Sequence, residues 1–235
     1  MSKYNRQQLQ KVWWSVDFRE DRYWAFLKRD GGWWHTDSKN SKLKTFDNYE
    51  QFENCVHNMC VQDIHVKMTV DGGREWIIDI DHDEKNPARL MLKNMIAHST
   101  LTRFFGPSCV RVLFSGNRGL HIWLDRNQFD MKACKELREY YYDTLLKKPT
   151  RIVKPFVREG SLNDCFLKSF DNAWIKREIS HLYHDINLND TAILVKEFFP
   201  YVDKQIFVST KQIRAPYSFN TKGNNYSCDH VLLLE

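Results

Sequence analysis

The run E-W-I-I-D-I-D at Glu75–Asp81 constrains this chain more than any other feature. So dense a set of β-branched and aromatic residues calls for a buried strand, yet the aspartates within it need water, a partner or a cation. On a strand, residues two apart leave the same face, so Asp79 and Asp81 are expected side by side. Adjacent carboxylates repel unless positive charge lies between them. Mg²⁺ suits such a pair, because it takes one or two carboxylates and completes its shell with water and phosphate oxygens. A lone D-x-D is common, and a solvated acidic turn is the plainer alternative. Asp83 and Glu84 are expected beyond the strand, in water.

The rest of the chain reads as alternating helices and strands. Leu9, Val12, Trp13 and Val16 recur at helical spacing over 4–16. Tyr23–Leu27, Gly31-Gly32 and Trp33-Trp34 read as a hairpin-like pair. A helix is expected over Asp47–Met59 and a strand over Ile64–Val70. Asn86, Pro87 and Gly106-Pro107 supply the cap, first position and stop of a long helix. Strands follow at Val110–Phe114 and Leu120–Leu124. Asp130 is expected to cap a helix reaching Lys147, with further helices over 161–199 and a strand at Gln205–Thr210. A polar, irregular tail is then expected, returning to apolar residues at Val231–Leu234. The pattern predicts an α/β class, an α+β mixed sheet with flanking helices, as a single domain over 1–235.

Composition bears mainly on setting. The net charge of +5 permits a polyanionic partner without requiring one. Six cysteines without a C-x-x-C pair, and a polar start, predict reduced thiols in an intracellular compartment. No apolar run approaches the ~20 residues of a membrane span, so no membrane partner is expected.

Two further blocks bear on chemistry. In F-S-G-N-R-G-L-H-I-W-L, from Phe114 to Leu124, a two-glycine turn lets backbone N–H groups approach an anion. Ser115 and Arg118 add a hydroxyl and a guanidinium fork, and His121 opens the next strand. An ordinary hairpin with a satisfied histidine is the bland alternative. In the third block, Tyr201–Lys222, Asp203 could join the first pair, while Arg214, Asn220 and Lys222 could reach a triphosphate. Carboxylates for two metals, a phosphate cradle and a third acid with basic followers are the parts of nucleotidyl transfer. A non-catalytic nucleic-acid-binding subunit has no need of the three acids, and a metal-dependent nuclease has none of the cradle.

In order, D-I-D, S-G-N-R-G-L-H-I-W and V-D…S-T…I-R-A-P-Y-S resemble the catalytic small subunit of archaeo-eukaryotic DNA primases, from about residue 20 to 224. D-R-Y-W-A-F near the start is similar to their R-E-F-x-F segment. In size the chain is similar to the short baculoviral members, the late expression factor 1 proteins. The resemblance implies the archaeo-eukaryotic primase catalytic fold. It implies Asp79, Asp81 and Asp203 as catalytic metal holders for two Mg²⁺ or Mn²⁺ ions. It implies Ser115, Arg118, His121, Arg214 and Lys222 as nucleotide contacts, with Arg22 at the edge of the site. Asn117 replaces a frequent arginine, and Asn220 stands where a histidine is often found. D-H-D-E-K-N-P-A-R-L leaves no room for the zinc motif of cellular relatives. Cys55 and Cys60 would lie ~140° apart on a helix, so no zinc is expected.

The implied activity is synthesis of short RNA primers on single-stranded DNA from nucleoside triphosphates. The implied partner is a primase large subunit or its viral counterpart, late expression factor 2, and the implied location is the nucleus. A repair polymerase of the same superfamily, using deoxynucleotides, shares these motifs.

Overall fold

A computed structural model describes residues 2–184 and 186–232, so the apolar end expected at Val231–Leu234 lies partly outside the described residues. Helix α1 (Arg6–Ser15) leads into strands β1 (Arg22–Lys28) and β2 (Trp33–His35), helix α2 (Tyr49–Asn58) and strands β3 (Val61–Thr69) and β4 (Ile77–Asp81). Helix α3 (Pro87–Phe105) follows, then the hairpin β5 (Cys109–Phe114) and β6 (Gly119–Leu124). Helices α4 (Lys135–Tyr141), α5 (Leu162–Ser169), α6 (Ala173–Leu182), α7 (Thr191–Phe198) and α8 (Lys204–Val208) come next. Four two-residue strands close the chain: β7 (Ile213–Arg214), β8 (Phe219–Asn220), β9 (Asn225–Tyr226) and β10 (Cys228–Asp229).

The strands form two four-stranded antiparallel sheets, in the orders β2-β1-β3-β7 and β10-β5-β6-β4, with β8 and β9 pairing separately. The class is therefore mixed α/β, as the periodicities suggest. The second sheet divides two cores. Its even-numbered residues Ile78, Ile80, Leu120, Ile122 and Leu124 pack with helices α3 and α5–α8. Its odd-numbered residues Ile77, Leu113 and Trp123 join a second core with α1, α2 and the first sheet. That alternation leaves Asp79 and His121 on the face turned toward the second core, as a period of two requires.

The aromatic residues concentrate in this second core. The ring centroid of Phe52 lies 5.0 Å from that of Trp13 and 5.1 Å from that of Trp24, and all three side chains are fully buried. Each buried aromatic contributes roughly 1.5–3 kcal/mol of transfer free energy. Helix α3 has the expected ends. Asn86 Oδ1 accepts from the Ala88 and Arg89 N–H groups at 3.0 and 3.2 Å, Pro87 opens the helix, and Gly106 follows it at φ +52°.

Four local expectations are corrected. Asp130 does not cap α4; it accepts from Lys132 N–H in a preceding turn, and the helix starts at Lys135. Glu84 is not solvated, for its carboxylate lies 3.2 Å from Lys93 Nζ and is 13% exposed. The strand expected at Gln205–Thr210 is helix α8. Asp203 Oδ1 accepts from Gln205 and Ile206 N–H at 2.7 and 3.1 Å, and the buried Arg74 guanidinium donates to the Ile206 carbonyl at 2.6 Å. Bonds at both ends thus override the β-branched character of the segment. The tail is not irregular either, since β7 to β10 knit residues 213–229 into both sheets.

Candidate active site

Strand β4 pairs with β6 so that Asp79 stands opposite His121 and Asp81 opposite Gly119. The side chain of Asp79 is 24% exposed and that of Asp81 57%, and His121 Nε2 lies 3.5 Å from Asp79 Oδ1. Burial, and then the charges of Asp203 and Asp81, push the Asp79 carboxyl up to about 7. Burial, with Arg214 beside it, pushes His121 down to about 3. At neutral pH that imidazole is uncharged, so its contact with Asp79 is not an ion pair. Trp123, two residues on, shares the face of His121 and is buried.

Gly119 is where the turn presses on the strand of acids. A Cβ there would collide with the Ile80 carbonyl oxygen, which only the absence of a side chain avoids. Ser115 Oγ accepts from Gly119 N–H at 3.2 Å and closes the turn. A Cβ on Gly223 would strike the Gly116 carbonyl, and one on Gly116, at φ +82°, would press on the Asn225 carbonyl and Asn220 Cβ. Asn220 locks the same junction: its Nδ2 donates to Ser115 O at 3.0 Å, and its Oδ1 accepts from Lys222 N–H at 3.1 Å.

Asp79, Asp81, Ser115, His121 and Arg214 line one cleft of about 200 Å³, together with His65, Asn117, Gln212 and Asn220. Arg214 is held there by Asp63, whose Oδ2 lies 2.8 Å from its Nη1, and by the Phe219 carbonyl. Arg118 stands at the rim, with its guanidinium 2.7 Å from Asp81 and 3.6 Å from Asp83.

Asp203 arrives by a different route from the one expected. Val202 bridges to Ile80, and Asp203 N–H donates to Asp79 O at 2.9 Å. Its carboxylate caps α8 and borders an adjoining depression of about 740 Å³ with Lys135, Lys204 and Lys211. It is therefore close enough to be felt by Asp79 without facing the cleft.

Two candidates lie elsewhere. Arg22 is fully buried and pairs with both carboxylate oxygens of Glu75, at 2.8 and 3.0 Å, and with the carbonyls of Asp17 and Lys67. It ties β1 to the approach of β4 and has no face left for a ligand. Lys222 is exposed outside the lining of the cleft. The sequence reading missed His65 and Gln212 as lining residues and set Asn220 aside. Alternation along β3 puts Asp63 and His65 on one face, which was the available signal for His65.

Among the described residues, no group of three or more His, Cys, Asp and Glu side chains converges closely enough to hold a metal ion. Asp203 is turned to its helix and Asp81 to Arg118. The donor chemistry nonetheless fits a hard divalent cation: oxygen ligands, with Asp79 already raised by burial and by its neighbouring carboxylates. No described helix is long and apolar enough to cross a membrane.

No family model matches the sequence. The chain is similar to late expression factor 1 of Orgyia pseudotsugata multicapsid polyhedrosis virus, with 34% identity over 231 residues, covering 96% of this chain and 87% of that protein. It is also similar to a protein named DNA primase from Autographa californica nuclear polyhedrosis virus, with 31% identity over 232 residues, covering 95% of this chain and 80% of that one.

Proposed function

The chain belongs to the baculoviral family that includes late expression factor 1 and DNA primase, and from that premise we propose that it is a primase catalytic subunit. It makes short RNA primers on single-stranded DNA by nucleotidyl transfer during viral replication in the host nucleus. The archaeo-eukaryotic primase fold, as one catalytic domain over 1–235, is part of this reading. So is an accessory subunit of the primase large-subunit or late expression factor 2 type.

One observation carries the reading: half-buried Asp79 is raised by desolvation and then by the charges of Asp203 and Asp81, in a cleft that also holds Ser115, His121 and Arg214. A carboxylate so disfavoured is kept where positive charge arrives with the substrate. Asp79 and Asp81 would hold two Mg²⁺ or Mn²⁺ ions, with Asp203 after release from its cap. Bound there, the metals lower the pKa of an attacking 3′-hydroxyl and neutralise a leaving pyrophosphate.

The chain's own groups bind and orient. Arg214, fixed by Asp63, supplies a guanidinium to the triphosphate. Neutral His121 donates one hydrogen bond to a phosphate oxygen while leaving the Asp79 charge uncompensated for the cation. Ser115 adds a hydroxyl, and Arg118 can exchange its rim partner Asp81 for phosphate once that carboxylate is engaged.

The test is synthesis by the purified chain, alone and with a candidate accessory subunit, on single-stranded DNA with labelled nucleoside triphosphates. The expected product is a short, ribonuclease-sensitive strand that depends on Mg²⁺ or Mn²⁺. Template degradation without synthesis, or no product with any partner, would contradict the proposal.

A further inference from the structure

The cleft has a second wall that the reading above leaves unused. His65 of β3 stands in register between Ala25 of β1 and Arg214 of β7, and it borders the same cleft as Asp79 and His121. Both of its ring nitrogens are closed off from water and have no hydrogen-bond partner. Among the described residues, no other side chain leaves two polar atoms in that state. Trp33 of β2 meets the ring edge-on, with centroids 4.8 Å apart at 74°, and stays 41% exposed.

Packing alone does not account for this pair. A leucine or phenylalanine would fill the space of His65 without orphaning two polar atoms, which is a costly arrangement. Burial and the neighbouring Arg214 charge hold the imidazole well below its usual range, so it carries one N–H donor and one bare acceptor.

The two walls therefore differ in chemistry. The β4–β6 wall is acidic and polar, and with Arg214 it suits metal and phosphate. The β2–β3 wall offers a neutral donor–acceptor pair beside the partly exposed indole of Trp33, one side of which stacks on His35 with centroids 6.0 Å apart at 24°. A phosphate oxygen at neutral pH only accepts, whereas a sugar hydroxyl both donates and accepts, and a base presents a face for stacking.

We propose that His65 is the nucleoside wall of the cleft, hydrogen-bonding a sugar hydroxyl of the incoming triphosphate, and that Trp33, against His65 just outside the cleft lining, stacks on the base. This deepens the polymerase reading and rests on it, by naming a residue that reads the sugar of the incoming nucleotide.

The test is calorimetric binding of ATP, 2′-deoxy-ATP, 3′-deoxy-ATP and inorganic tripolyphosphate to the full-length chain and its variants. The wild-type chain should prefer ATP to one deoxy analogue by about 10–100-fold, the range of one orphaned hydrogen bond. His65→Leu should collapse that ratio toward one while tripolyphosphate still binds. His65→Asn, which keeps a donor and an acceptor, should recover part of the ratio. Trp33→Ala should weaken ATP about tenfold or more, the scale of aromatic stacking, without a matching loss of tripolyphosphate.

Equal wild-type affinity for all three nucleotides would overturn the proposal without any variant, as would an unchanged ratio in folded His65→Leu. Either result leaves the polymerase reading standing. A wild-type chain that binds no triphosphate at all overturns both.

Discussion

The two sides of the cleft are built differently. On the β4–β6 side, Asp79, His121 and the turn from Ser115 are set by an unbroken antiparallel ladder from Ile77–Trp123 to Asp81–Gly119. Across from it, residues 203–223 hold their place through polar side chains: the Asp203 cap, the Asp63–Arg214 pair and the Asn220 bonds. A ladder spreads its cohesion over many backbone bonds, whereas a lock concentrates it in one or two side chains. Single substitutions should therefore be felt differently on the two sides.

The largest effect is expected at a lock. Asp63→Ala leaves Arg214, with 11% of its side chain exposed, without its ion-pair partner. Losing one partner of a buried pair costs about 3–5 kcal/mol, and water entering from the cleft places this case at the lower end. At about 2–4 °C per kcal/mol, a fall of roughly 6–12 °C in the thermal midpoint is expected; a shift under 2 °C would remove the distinction between the two sides.

On the ladder side, Gly119→Ala drives a Cβ into the Ile80 carbonyl. Overpacking of this kind costs about 1–3 kcal/mol or more. Denaturant unfolding should show the loss, accompanied by faster amide hydrogen exchange in β4 and β6 than elsewhere. Asn220→Ala unties the Ser115 carbonyl and should cost about 1–2 kcal/mol, measurable in the same titration. A stability equal to wild type would show that the glycine contact between 116 and 223 suffices alone.

The mildest perturbation is pH, and it reports on the tail beyond β10. His98 of α3 and His230 share a 2.7 Å contact between their Nδ1 atoms, and burial pushes both down to about 4. Their folded values lie below the unfolded one of 6.5, so the unfolded chain binds protons first. The stability they confer is complete above about 6.5 and is lost as pH falls toward 4. The thermal midpoint of the wild-type chain should fall through that window more steeply than that of His98→Gln. Parallel curves would sever the link.

The same contrast decides what was legible in the sequence. The ladder side was readable, because Ile78 and Ile80 against Asp79 and Asp81 obey a period of two and Asn86, Pro87 and Gly106 mark the next helix. The lock side was not. Ile206, Phe207 and Val208 carry β propensity, and only the bonds from Asp203 and Arg74 wind them into α8. Arg22 has the composition of a ligand-binding residue, yet Glu75, distant in sequence, consumes its charge. His65 has only its alternation with Asp63 along β3 as a local mark; its orphaned nitrogens exist only once β3 lies beside β7.

The central claim is that Asp79 is kept for chemistry at a cost to the fold. Its isosteric replacement, Asp79→Asn, removes a charge repelled by Asp81 and Asp203. Primer synthesis and metal-free thermal unfolding, measured on the same preparation, give the most direct test. The account predicts that synthesis disappears while the thermal midpoint stays equal or rises. Undiminished synthesis by Asp79→Asn would contradict it.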